Sequence, residues 1–474
     1  MQLRQLYVFF LLLNIGLFAI AGESAYRIEL NIKGHNNEFV YLGYHYGPEF
    51  MVVDTAITDS NGHAVFEGKE SLPQGVWFVV LPPKTRFDFL LLSEQQIVIY
   101  GDIDSIIATL TLTGSTTKDL FFDLQRDIAS LNLAGSQIEI KKQYYKSAGQ
   151  QVPIDIQLEE DSLKNRRIAV YQYYRNLDNK GFLANMLTLM LPHEFPSYVQ
   201  QWQTDDPSAY YHYYRLHYFD VVDFSDPRIL RTPEFVFHRM MLEYARFFLS
   251  TRVDSIGNVL LDVDLLVEKA SVNSEFQRYV VSFLLSHYEA PSVIGMDAVF
   301  VHLVEEYFLK GRMEWADASM IELLRQKNND MKNNLLGMKS QNLRLKNLLG
   351  DFVHIHDFNS RYLILWFWEA GCNVCDEQTP VLHEQYDDLK KYGAEVLAIY
   401  TGTDKKYLES YISDNRIHWI NLYDPKQESG FYDSYGVSRT PRLFVLDADK
   451  RIVAKDVNPK DILRYLKYLD NKKK

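Results

Sequence analysis

Cysteine occurs twice in the 474 residues, three positions apart, in the run Trp366-Phe367-Trp368-Glu369-Ala370-Gly371-Cys372-Asn373-Val374-Cys375. Two thiols at that spacing can pass between a dithiol and a disulfide. The apolar run Tyr362 to Trp368 reads as a buried strand, and the segment from Asp376 onward reads as a helix with Leu382, Tyr386 and Leu389 on one stripe. The pair therefore falls where a strand hands over to a helix N-terminus. Unpaired backbone N–H groups and the helix dipole favour a thiolate there. A thiol with a lowered pKa attacks well near neutral pH, and the second cysteine, one helical turn on, can close the disulfide.

The chain reads as three stretches, and the last of them must position that pair. From about Leu348 the order is β-β-α-β-α-β-α-β-β-α, an α/β domain with a central mixed sheet. Phe352–His356 and Arg361–Phe367 are expected to form a hairpin around Asp357-Phe358-Asn359-Ser360, and Arg442–Asp447 with Ile452–Asp456 a second one. Ahead of this lies a helical stretch from Thr116 to about Leu345, with amphipathic runs at Leu163–Leu177, Glu234–Leu249, Ser274–His287 and Val299–Leu309. Its aromatic-dense segment Tyr210–Phe219 reads as a ligand face or as a packed helix surface. Arg325–Leu348, rich in Asn and Lys, reads as a polar connecting helix or linker. From Tyr26 to about Ser115, short alternating runs and the turn Asp59-Ser60-Asn61-Gly62 suggest a small antiparallel β-sandwich. The expected division is 1–21, 22–115 (all-β), 116–345 (all-α) and 346–474 (α/β).

Arg4 is the only early charge, Leu6 to Ile20 is apolar, and Ala19-Ile20-Ala21 has a small-x-small pattern. This reads as a secretory signal peptide cut after Ala21; an uncleaved anchor is the competing reading. The run is shorter than the roughly 20 residues a spanning helix needs. The expected product is soluble and periplasmic or in the cell envelope. Exported proteins that use cysteine for stability carry several pairs, so a lone pair at this spacing points to redox work. A net charge of −12 argues against nucleic acid and anionic membrane as partners.

The C-terminal segment resembles the thioredoxin fold, in its exported branch that includes the cytochrome c maturation reductases. The resemblance rests on Phe367-Trp368 ahead of the cysteines with Pro380 in the following helix, and on Tyr435-Gly436-Val437-Ser438-Arg439-Thr440-Pro441, which matches the segment ending in a cis-proline. It rests also on the strand Leu443–Asp447 and on a helix-strand insertion from Thr401 to Asp424. The whole chain is similar to exported Bacteroidetes-type proteins with a β domain and a helical domain before such a module. The resemblance implies that Cys372 attacks a substrate disulfide, that Cys375 releases the product, that Thr440 and Pro441 hold the substrate backbone, and that Trp368 packs beside the pair. It also implies disulfide-containing exported proteins as substrates, a membrane thiol donor or acceptor as recycling partner, and no metal or organic cofactor. Two departures stand out. Trp366 occupies the position of the ancestral acid, and Gln378 the position of a glutamate common in the exported branch. Glu369, Glu377 and Gln378 are then the residues left for proton transfer at Cys375.

Other chemistries fit less well. Zinc would need two further ligands, and His383 lies two turns from the pair. His354, His356 and Asp357 could hold a metal or lie on a solvated hairpin. A peroxidatic site wants Thr or Ser where Glu369 stands. A structural bond across a helix N-terminus would be strained and reducible. The alternative of a different class is a non-enzymatic envelope binding or assembly protein that uses the module as a docking platform.

Overall fold

A computed structural model describes residues 25–115, 120–233, 236–247, 249, 255–291, 293–424 and 426–472. The expected signal peptide lies outside them. The chain divides into two compact units, Met1–Arg246 with Lys269–Phe276, and Phe247–Glu268 with Gln277–Lys474.

The first unit opens with strands β1 (Tyr26–Lys33), β2 (Phe39–Tyr46), β3 (Glu49–Ile57), β4 (His63–Gly68), β5 (Gly75–Leu81), β6 (Thr85–Leu91) and β7 (Gln96–Asp102), the single turn α1 (Ile106–Thr109), and β8 (Thr111–Thr113). They form two four-stranded sheets, β4-β1-β7-β8 and β3-β2-β5-β6. Ile28, Leu30 and Ile32 point inward at period two. One expectation is corrected: β1 and β7 pair in parallel, so the sandwich is not wholly antiparallel. Strands distant in sequence can pair this way because the intervening strands supply the crossover.

Helices come next: α2 (Leu120–Ser147), α3 (Ile154–Asp178), α4 (Phe182–Thr188), α5 (Ser197–Asp205), α6 (Pro207–His217), α7 (Val236–Phe247), α8 (Ile256–Ala270), α9 (Ser274–Tyr288), α10 (Asp297–Leu303) and α11 (Ala318–Lys332). Helix α2 begins on the sandwich, where Gln125 Nε2 donates to the Asp88 carbonyl at 2.9 Å. The aromatic segment packs: Tyr218 and Phe219 are buried, Tyr214 meets Phe195 at 5.1 Å, and the Tyr218 hydroxyl donates to Glu243 at 2.9 Å.

In the second unit the last stretch builds β9 (Arg344–Asn347), β10 (Phe352–His354), β11 (Tyr362–Trp368), α12 (Asn373–Glu384), α13 (Tyr386–Lys391), β12 (Ala394–Tyr400), α14 (Lys405–Asp414), β13 (Ile420–Tyr423), α15 (Phe431–Tyr435), β14 (Arg442–Asp447), β15 (Ile452–Lys455) and α16 (Ile462–Lys472). The seven-stranded sheet runs β10-β9-β13-β12-β11-β14-β15. Strands β11, β12 and β13 are parallel, and β14 joins β11 antiparallel. Every residue of β11 is buried, and each face feeds its own core: Ile364, Trp366 and Trp368 on one, Leu363, Leu365 and Phe367 on the other. Each such side chain contributes about 1.5–3 kcal/mol of burial, which makes β11 a rigid base for the cysteine turn at its end.

The expected hairpin between Phe352–His356 and β11 does not form. Strand β10 pairs with β9, in a segment that had read as polar linker. The pairing is held by charge on an aromatic face: the Arg344 guanidinium lies 3.7 Å from the Phe352 ring centre and Lys346 lies 5.1 Å from it.

Candidate active site

The cysteines sit at the end of β11. The Trp368 carbonyl accepts from the Thr401 N–H at 2.9 Å, which ties the strand end to the neighbouring one. Gly371 turns the chain at φ +77°, a conformation that side chains disfavour. Cys372 is the N-cap of α12, and its Sγ accepts from the Cys375 N–H at 3.2 Å. This is the contact expected to stabilise a thiolate at a helix N-terminus. Cys372 and Cys375 are joined as a disulfide, with Cα atoms 5.2 Å apart. Cys372 is half-buried and Cys375 wholly buried.

A second segment closes the site. Cys372 Sγ lies 3.5 Å from the Thr440 carbonyl oxygen, and the Thr440–Pro441 bond is cis. Gly436 sets the approach of this segment. It ends α15 in the left-handed region at φ +59°, and a Cβ there would meet the Asp330 carbonyl oxygen at 2.1 Å. Arg442 Nη1 donates to the Gly436 carbonyl at 3.0 Å, and its Nε to Asp456 at 2.9 Å.

Behind the disulfide is an aromatic bed. Trp368 is buried, with its ring 5.3 Å from Tyr400 and 4.7 Å from Tyr411. Burial, then the charges of Glu369 and Asp404, push the Tyr400 phenol above its ordinary value. Trp366 is also buried, and its indole N–H donates to Thr379 Oγ1 at 3.1 Å. Of the residues named for proton transfer, Glu369 and Glu377 are exposed and Gln378 is half-buried. His383 faces His418, ring nitrogens 3.0 Å apart, and burial, then His418, lower its pKa. His356 pairs with Ser340 at 2.9 Å. Among the described residues no group of three or more His, Cys, Asp or Glu is arranged to hold a metal ion.

Residues 336–455 match the model of the AhpC/TSA family. The thiol–disulfide oxidoreductase ResA of Geobacillus kaustophilus is 25% identical over 134 residues, 28% of this chain and 76% of that one. The C-terminal domain is a thioredoxin-like thiol–disulfide oxidoreductase domain. Among solved structures, a domain of a possible thiol–disulfide isomerase from Cytophaga hutchinsonii is 29% identical, covering 29% of this chain and 95% of that one, with a TM-score of 0.28. A thioredoxin-like protein from Bacteroides caccae is 19% identical, covering 58% of this chain and 97% of that one, with a TM-score of 0.47. Residues 26–121 match a domain of unknown function, DUF4369.

The oxidoreductase domain thus gathers Cys372, Cys375 and Thr440 at one place, with Trp368 beneath them and Pro441 following the contacting carbonyl. It leaves the carboxylates of Glu369 and Glu377 on the solvent side. Sequence reasoning passed over Thr379 and Tyr411. Thr379 carried one signal: it stands one turn after Cys375, on the buried face of the same helix. Tyr411 carried none, since only the fold brings α14 against Trp368.

Proposed function

We propose that the chain is an exported enzyme that exchanges disulfides with proteins of the periplasm or cell envelope through Cys372 and Cys375. The observation that supports it most is the N-cap position of Cys372, half-buried, with the Cys375 N–H on one side of its sulfur and the Thr440 carbonyl on the other. In the reductive direction the Cys372 thiolate attacks a substrate disulfide. A mixed disulfide forms, and one substrate sulfur leaves as a thiolate. The Cys375 thiol loses its proton and attacks Cys372 Sγ. The second substrate sulfur leaves with the bonding pair and is protonated by solvent. Two electrons have passed from the dithiol to the substrate, and the reverse sequence oxidises. Substrate backbone would lie along Thr440 and Pro441. Export rests on the apolar run Leu6–Ile20 ahead of Ala19-Ile20-Ala21, and a membrane thiol donor or acceptor would recycle the pair.

The test is turnover on a disulfide-bearing protein such as insulin, with dithiothreitol as the source of electrons. Cys372→Ser is expected to abolish turnover, and Cys375→Ser to accumulate a mixed disulfide visible on a non-reducing gel. Full activity in both variants would contradict the assignment.

A further inference from the structure

Four consecutive exposed apolar residues lie on β3, a strand that the disulfide chemistry does not use. Phe50, Met51, Val52 and Val53 are 48%, 41%, 44% and 47% exposed. A strand with one covered face buries every second side chain, so here both faces are open to water. Strand β3 also ends its sheet: it pairs with β2 on one side, and the sheet order places no strand on the other. Such an edge carries an outward row of backbone N–H and C=O groups that can pair with another extended segment. Phe39 and Ile57, paired across β2 and β3 and both exposed, lengthen the apolar surface. We propose that β3 is a docking edge for an extended apolar segment, bordered by lysine or arginine, of an unfolded disulfide-bearing protein. The proposal rests on the redox reading of the cysteine pair, whose substrate it would hold.

Local structure holds this edge in place. Gly43 of β2 lets β3 approach: a Cβ there would meet the Met51 carbonyl oxygen and the Phe78 ring, both at 2.5 Å. Beside it the register slips. Leu42 pairs with Asp54 and Gly43 with Val52, so Val53 is the extra residue of a β-bulge. Phe50 lies over the sheet, its ring centre 5.7 Å from that of Phe78 and 5.3 Å from that of His45. The Arg86 guanidinium lies over the Phe50 ring at 4.9 Å, and Asp88, 3.5 Å from Arg86, balances its charge. The apolar run therefore has an acid at each end, Glu49 before it and Asp54 after it.

Those acids choose the occupant. A second copy pairing through its own β3 would bring two Glu49 and two Asp54 carboxylates onto one ribbon about 20 Å long, and like charges across strands destabilise it. It would also set two Val53 bulges against each other, and bulges blunt an edge against identical strands. A single unfolded segment bends to follow the bulge, and a lysine or arginine near Glu49 or Asp54 meets a complementary charge. Folded proteins keep their apolar strands paired and inside, so the edge selects chains that are unfolded there. Backbone pairing supplies affinity without a fixed sequence, and alternate side chains supply preference. A substrate held on the same molecule meets Cys372 at a raised effective concentration.

Fluorescence anisotropy with the full-length chain tests this. Two labelled peptides share a core of alternating valine and threonine; one is flanked by lysines and the other by glutamates. The lysine peptide is expected to bind about tenfold more tightly or better. Met51→Lys with Val53→Lys, both at exposed positions, is expected to weaken that binding by a similar factor, with an unchanged urea midpoint showing that the protein is folded. The same variant is expected to raise the KM for disulfide-scrambled ribonuclease, an unfolded basic chain, at unchanged kcat. Its reduction of Ellman's reagent, which has no strand to dock, should match that of the wild type. Failure of both peptides to bind, equal binding of the two, or a variant that binds as the wild type does would overturn the docking edge. So would a wild-type dimer that the variant turns into a monomer, since a second copy would then fill β3. A wild-type chain that reduces neither ribonuclease nor Ellman's reagent would instead overturn the redox reading beneath it.

Discussion

Cys372 and Cys375 differ in what each sulfur can reach, and that difference divides their labour. Cys372 is half-buried, caps α12 and receives an N–H; Cys375 is sealed in the core. In the reduced chain Cys372 is expected to be alkylated by iodoacetamide first and to react below the ordinary thiol value of about 8.5. Peptide mass spectrometry after brief alkylation across a pH series checks this, and equal labelling of both sulfurs would count against it. This much of the site was legible in the sequence, because spacing and a strand-to-helix handover are local features. The partner of Cys372, the Thr440 carbonyl, was reached only through family resemblance. The surroundings of Cys375 were not legible, because Thr379 of α12 meets Trp366 and Tyr411 of α14 meets Trp368, contacts that only the folded sheet brings about.

Elements hold the site through a few contacts that tolerate little change. Gly436 lets the segment before Pro441 leave α15, and it lacks room for a side chain beside Asp330. Gly436→Ala is expected to cost about 1–3 kcal/mol, read as a lower urea midpoint, with slower insulin turnover as Thr440 shifts. Strand β15 is anchored by Lys455, whose ammonium pairs with buried Asp297 and donates to the Asn334 carbonyl at 3.0 Å. Lys455→Met would leave the Asp297 charge buried and uncompensated, at a cost of roughly 3–5 kcal/mol; Lys455→Met with Asp297→Asn should recover part of it. Denaturant unfolding of both proteins measures the difference. Elements with strong apolar periodicity, such as β11, β14 and α9, were legible within a residue or two. Strand β9 was not. In Arg344-Leu345-Lys346-Asn347 only Leu345 faces the core, and the cations that masked the strand are what bind Phe352 across it.

At the scale of the whole molecule, imidazoles partly shielded from water link stability to pH. His238, His287, His356 and His383 are each held below the ordinary value of 6.5 by burial, with Lys339 and Lys450 adding to the effect at His356 and His418 at His383. Between those lowered values and 6.5 the unfolded chain binds more protons than the folded one. Their contribution is complete above about pH 6.5 and is lost as pH falls through that window. The thermal midpoint is therefore expected to drop between about pH 7 and pH 5, and a midpoint that rises over that range would contradict it. The overall order of strands, helices and mixed sheet was legible from periodicity. The parallel pairing of β1 with β7 was not, since it joins segments at opposite ends of the sandwich with no local signal. Everything proposed for this molecule depends on the disulfide of α12 being a working redox couple. Equilibrating the intact chain against dithiothreitol and glutathione buffers, and quantifying both cysteines at each point, tests it most directly. A reversible two-electron titration is expected, with a value near about −270 mV marking a reductant and one near about −120 mV an oxidant. A pair that cannot be reduced without unfolding the protein would contradict it.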